Sequence, residues 1–193
     1  QLGVPTRILS PQEALKIVPE LNQRSFVAAC YNPRDGVVFP WPFLWGYAHA
    51  ASALGVQVHT YTKVTNIEVR GPHDFVVHTS KGQIRAERVI NAAGAWSPAI
   101  ARLVGVELPN HPHRHEILAT ESLKPFLKPL VSVLSSGLYF SQSMRGEIVG
   151  GITVPDEDDG SVRLGSRLRF LEHMSAELLQ VMPVLSQVRV LRQ

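Results

Sequence analysis

Val89-Ile90-Asn91-Ala92-Ala93-Gly94-Ala95-Trp96-Ser97 is the stretch on which the reading of this chain turns. Arg88 to Asn91 reads as a short apolar strand that empties into Ala92-Ala93-Gly94. Ser97 and Pro98 then suit the cap and first position of a helix over residues 97–103. Small side chains at such a junction leave the main chain bare, so a planar or phosphorylated ligand can approach it. The helix start adds unpaired N–H groups. A tight strand-to-helix turn with no ligand fits the same residues equally well.

Outward from this junction, the pattern alternates helix and strand. Ser10-Pro11-Gln12-Glu13 has the form of a capping box ahead of an apolar face of Ala14, Leu15, Ile17 and Val18. Phe26 to Tyr31 reads as a strand, Asn32 to Gly36 as a turn, and Val37 to Phe39 as a strand pairing back. Pro40-Trp41-Pro42 introduces a helix from about Phe43 to Leu54. Its Gly46 and alanines allow close approach of another backbone, and Gly55 stops it. Val56 to Tyr61 and Val64 to Val69 alternate as strands. Asp74 to Thr79 and Gln83 to Ala86 form a hairpin about Ser80-Lys81-Gly82. After the junction, His115–Thr120, Leu130–Leu134, Leu138–Ser143 and Glu147–Ile152 read as strands of an antiparallel meander. Pro155 to Gly160 is an acidic loop. A last helix over 164–181 carries Leu164, Leu168, Leu171, Leu178 and Met182 at helical spacing, a stripe expected to face a core.

Composition narrows the function classes. In 193 residues, 45% are hydrophobic and 18% charged, enough for a buried core. The net charge of +3 is spread along the chain, which argues against a nucleic-acid partner. No apolar run reaches the roughly 18 residues of a membrane span. The start lacks the pattern of a signal peptide, and the chain is expected to be cytoplasmic. It lacks a starting Met and stops within an apolar alternation, so it reads as an internal fragment. The lone Cys30 cannot form an internal disulfide and is expected to be buried filler.

His111, His113 and His115 alternate, and on a strand they would share a face. No carboxylate or cysteine joins them at ligand spacing, so no metal site is assigned. Arg114 has the fork suited to a carboxylate or other anionic group and is the candidate substrate contact. His49, His59, His73 and His78 read as surface positions. No residue is identified as catalytic.

The run Val89–Ser97 resembles the V-N-A-A-G-A-W-S signature of the D-amino-acid-oxidase-like flavoenzymes. Trp45-Gly46-Tyr47-Ala48, Gly55-Val56, Gly105 to Pro109, Tyr139, Gln142 and Gly146 to Gly151 follow the family's order. Within it, the Gln142 and Gly146 pattern is most similar to β subunits of heterotetrameric sarcosine oxidases. The resemblance implies an α/β (α+β) fold: part of a Rossmann-like FAD domain with an antiparallel-sheet substrate domain. Residues 36–70 and 87–103 would belong to the former, and 1–35 and 104–193 to the latter, with 71–86 a hairpin insertion. It implies an FAD-dependent enzyme that oxidises a secondary or tertiary amine such as sarcosine, with other oxidase subunits as partners. Oxidation of D-amino acids, glycine or glycerol 3-phosphate, or a binding subunit without catalysis, are the alternatives. By the same resemblance, Val64 would meet FAD through its backbone, and Ala93, Gly94 and Trp96 would line it. His113 would correspond to a histidine carrying covalent FMN. The family's G-x-G-x-x-G is absent from these residues. The chain by itself is therefore expected to hold FAD poorly and to be inactive.

Overall fold

The computed structural model describes residues 3–154 and 165–193. In chain order its elements are β1 (Arg7–Leu9), α1 (Pro11–Leu15), β2 (Ala29–Tyr31), α2 (Pro40–Ala53), β3 (Val64–Gly71), β4 (Asp74–Thr79), β5 (Gly82–Ala86), α3 (Ser97–Arg102), β6 (Ile117–Ser122), β7 (Val131–Val133), β8 (Leu138–Gln142), β9 (Glu147–Gly151), α4 (Leu168–Val181) and β10 (Val190–Arg192). They divide into two compact units, one of residues 3–38, 115–154 and 165–193, the other of Phe39–Arg114.

The first unit is built on a five-stranded antiparallel sheet in the order β10-β6-β9-β8-β7. Alternation turns Leu118, Leu138, Phe140 and Ile148 to one face, all of them buried. Helix α4 covers that face with Phe170, Met174, Leu178 and Val181, at the spacing of a single helical stripe. Gln142 ties the meander together. Its Oε1 accepts from the Phe126 and Leu127 amides at 2.8 and 3.0 Å, and its Nε2 donates to the Lys124 and Gly146 carbonyls. The expected capping box is present: the Ser10 amide donates to Glu13 at 2.8 Å, and Ser10 Oγ accepts from the Glu13 amide.

Strand β10 is fastened to the sheet edge by charge. Arg189 donates to Glu121 through both Nε and an Nη, and Arg192 pairs with Glu147 at 2.8 Å. The Arg189 side-chain and backbone bonds hold the Glu121 carboxyl below its ordinary 4.5. A depressed carboxyl stabilises above its unfolded value and loses that contribution as pH falls through the folded one. Amide exchange of Val190–Arg192, corrected for intrinsic rates, is therefore expected to speed up selectively below pH 4.5. Unchanged protection at pH 3 would refute this role for the pair.

The second unit holds the three-stranded sheet β3-β4-β5, α2 and α3. The hairpin β4–β5 turns where expected, with Thr79 opposite Gly82. His78 is not an idle surface group, because its Nε2 lies 2.6 Å from Glu68 and its Nδ1 accepts from Gln83. Buried side chains are few: Ile67, Val76 and Ala101. Helix α2 has no buried residue, although Trp41, Phe43, Leu44, Trp45 and Tyr47 occupy much of its circumference and are each at least half exposed. A helix apolar on all sides is of the kind that lies inside a larger protein. Nothing among the described residues stands within 4 Å of a Cβ built on Gly46, so no described backbone approaches the helix there.

Several expectations are corrected. Arg88 to Asn91 is not a strand; Ile90 is 89% exposed, and no neighbour pairs with the run among the described residues. Residues 56–61 likewise form no strand. Only Ala29–Tyr31 of the run 26–31 is β, and it pairs with Arg7–Leu9 instead of residues 37–39. Cys30 on that ribbon is exposed. In the last helix Leu168 is 70% exposed, and the buried stripe starts at Phe170. Leu164 and the acidic loop 155–160 lie outside the described residues.

Candidate functional site

The loop from Asn91 to Ser97 is held by one side chain. Asn91 Oδ1 accepts from the Ala93 amide at 3.2 Å, and Asn91 Nδ2 donates to the Ser97 carbonyl at 2.9 Å. A 3-10 turn over Gly94–Trp96 is closed by the Trp96 amide donating to the Ala93 carbonyl. Gly94 sits at φ +55°, in the left-handed region that a glycine enters without strain. Nothing lies within 4 Å of a Cβ built there, so the backbone is bare on that side. Asn91 therefore acts as the staple of the loop, and the chemistry of approach falls to Ala93 and Gly94.

Helix α3 differs from its expected start. Trp96 is the N-cap residue, no side chain caps the helix, and Ser97 is already helical. Trp96 is 56% exposed. Beside it opens a cleft of about 330 Å³, lined by Trp96, Ala99, Arg102, Glu107, Asn110 and His111 among others. Arg102, Glu107, Asn110 and His111 make no side-chain hydrogen bond or ion pair with any described residue, and none has an interaction elsewhere. The four side chains are solvent-exposed beside an aromatic wall, where polar groups can orient a small molecule. Arg102, Glu107 and Asn110 were missed as site residues in the sequence, and His111 was weighed only as a metal ligand, because α3 and the return loop bring the four together and no motif announces it.

The other expected site residues are dispersed. Val64 opens β3, paired with Thr79. His111, His113 and His115 do not share a strand: β6 begins at Ile117, and Pro109 and Pro112 remove the N–H groups a ladder would need. His111 lines the cleft, whereas His113 and Arg114 are both engaged in interactions. His115 stacks on Tyr139 in the unit that carries the five-stranded sheet, with ring centroids 5.4 Å apart and planes at 15°. Among the described residues no three His, Cys, Asp or Glu side chains are grouped to hold a metal ion. No helix among them is long and apolar enough to cross a membrane.

The family model described as FAD dependent oxidoreductase matches residues 1–193. Sarcosine oxidase subunit beta from Rhizobium meliloti is 32% identical over 194 residues, covering 98% of this chain and 46% of that subunit. Among solved structures, L-proline dehydrogenase from P. horikoshii superposes with a TM-score of 0.90 at 30% identity, covering 98% of this chain and 51% of that one. Glycine oxidase from Geobacillus kaustophilus gives 0.86 at 25% identity, with 98% and 50% covered. The chain thus spans about half the length of these relatives.

Proposed function

The chain belongs to the family of FAD-dependent oxidoreductases, and from that premise we propose that the protein containing it oxidises a secondary or tertiary amine such as sarcosine. The observation that carries this reading is the Asn91-stapled loop, whose bare Gly94 backbone lies next to the polar cleft at Trp96. The fit to a dinucleotide rests on those same residues. Ala93 and Gly94 leave the main chain accessible, Trp96 offers an aromatic face, and Val64 would contribute its backbone from β3. When bound, FAD supplies the acceptor for hydride from the amine's α-carbon. The residues of this chain bind and orient. The likeness to a sarcosine oxidase β subunit supports the choice of substrate and a place in a multi-subunit oxidase.

In this reading His113 is the attachment point of a second flavin, FMN, and Arg114 faces the substrate carboxylate. Two measurements on the full-length protein test these assignments. Sarcosine is expected to bleach the flavin absorbance, with D-alanine, glycine and glycerol 3-phosphate much slower. Bleaching by glycerol 3-phosphate alone would overturn the amine reading. His113→Ala should abolish any flavin that survives denaturation on the polypeptide, read by mass. A covalent flavin retained in that variant would remove His113 from the role. The 193 residues expressed alone are expected to purify without a flavin band, since they lack a phosphate-binding glycine loop and leave α2 uncovered.

A further inference from the structure

Two opposite charges line the cleft beside Trp96 without meeting each other. Arg102 closes α3, and the chain then reverses. Gly105 turns at φ +73°, its amide donates to the Arg102 carbonyl, and the Val106 amide donates to the Ala101 carbonyl. The reversal brings Glu107 to the same cleft of about 330 Å³. Arg102 and Glu107 do not pair with each other, and neither has a partner elsewhere. A guanidinium presents two parallel N–H donors to a carboxylate, and a carboxylate accepts from an ammonium. Asn110, on the same wall, offers an amide donor and a carbonyl acceptor. The half-exposed Trp96 ring is a face on which aliphatic or ammonium carbons can rest. A simple anion would meet the repulsion of Glu107, and a simple cation that of Arg102. A small molecule bearing one carboxylate and one ammonium satisfies both.

We propose that this cleft binds a small amino-acid zwitterion, with Arg102 holding the carboxylate, Glu107 the ammonium and Trp96 the carbons between them. The site is separate from the contact proposed for the reacting molecule, because Arg114 does not line the cleft. The inference stands on the charges of the cleft and holds whichever amine is oxidised.

The test is a ligand-observed NMR titration of the flavin-containing full-length protein at low ionic strength. The probe is 2-aminoisobutyrate, which carries both charges but no hydrogen on its α-carbon, so a flavin cannot take hydride from it. Pivalate and tert-butylammonium are its controls, each with a methyl in place of one charged group. The zwitterion is expected to bind at least about tenfold more tightly than either control, the worth of one charge-assisted hydrogen bond. Arg102→Gln should weaken 2-aminoisobutyrate about tenfold and bind tert-butylammonium at least as tightly as wild type does. Glu107→Gln should weaken the zwitterion by a similar factor and bind pivalate at least as tightly as wild type does. Both side chains are exposed and unbonded, so both variants should keep wild-type urea stability and flavin content. No binding of 2-aminoisobutyrate to the wild type would overturn the proposal. Equal binding by all three proteins would place the probe in another site and overturn it too. Neither outcome depends on sarcosine being oxidised, so the functional reading above stands or falls separately.

Discussion

Replacing Gly146 by alanine is expected to destabilise the protein by about 3–5 kcal/mol, adding the strain of a left-handed non-glycine residue to an overpacked contact. Gly146 turns the β8–β9 hairpin at φ +92°. A Cβ there would stand 2.2 Å from the Leu123 carbonyl oxygen and 3.0 Å from the Leu123 amide nitrogen, both backbone atoms that cannot swing aside. The same place is held by the Leu123 amide donating to the Gly146 carbonyl and by Gln142 Nε2 donating to that carbonyl. Pushing Leu123 away thus strains a bonded network as well as a turn. Gly137 supplies the control. It has a similar φ of +71°, but its nearest neighbour would be Thr153 Oγ1 at 3.6 Å, an ordinary contact. Gly137→Ala is expected to cost only about 1 kcal/mol, the conformational part. Urea unfolding of the two variants in the full-length protein separates the terms. Equal losses would remove the clash from the explanation.

The first unit was largely legible in the sequence because its elements carry their own local signals. The capping box at Ser10, the glycine turns before Leu138 and Glu147, and alternation in β6, β8 and β9 each specify structure within a few residues. The misreadings share a physical cause. Residues 56–61 and 88–91 alternate or run apolar like strands, but a strand exists only by pairing, and no described residue supplies the ladder. The apolar surface of α2 has the same character: its sequence is that of an interior helix, and only a larger assembly of secondary structure would bury it. The site shows the complementary limit. Ala93 and Gly94 could be singled out because small residues at a junction are a local signal, whereas the bonds by which Asn91 staples the loop could not. The cleft formed by Arg102, Glu107, Asn110 and His111 could not, and neither could the meeting of His115 with Tyr139. Both depend on chain reversals that place distant, ordinary-looking side chains together.

Gly94→Asp in the full-length protein is expected to weaken FAD binding at least about a hundredfold, roughly 2.8 kcal/mol. Aspartate is among the few residues that visit the left-handed region readily, so the backbone at φ +55° is retained at modest cost. A Cβ at Gly94 meets nothing within 4 Å of protein, so the fold has room for the new side chain. What the carboxylate fills is the space in front of the Ala93–Gly94 main chain, and it brings a negative charge to the wall proposed to line FAD, an anionic cofactor. Gly105→Asp measures the strain alone. Gly105 has φ +73°, equally open surroundings, and lies beyond the other end of α3. Both variants should lose similar, small amounts of stability, yet only Gly94→Asp should lose flavin on gel filtration and require far more FAD to reconstitute. Flavin loss in both would mean that loop strain, and not occupation of the cofactor's place, controls binding. Wild-type affinity in Gly94→Asp would take the cofactor away from this loop altogether.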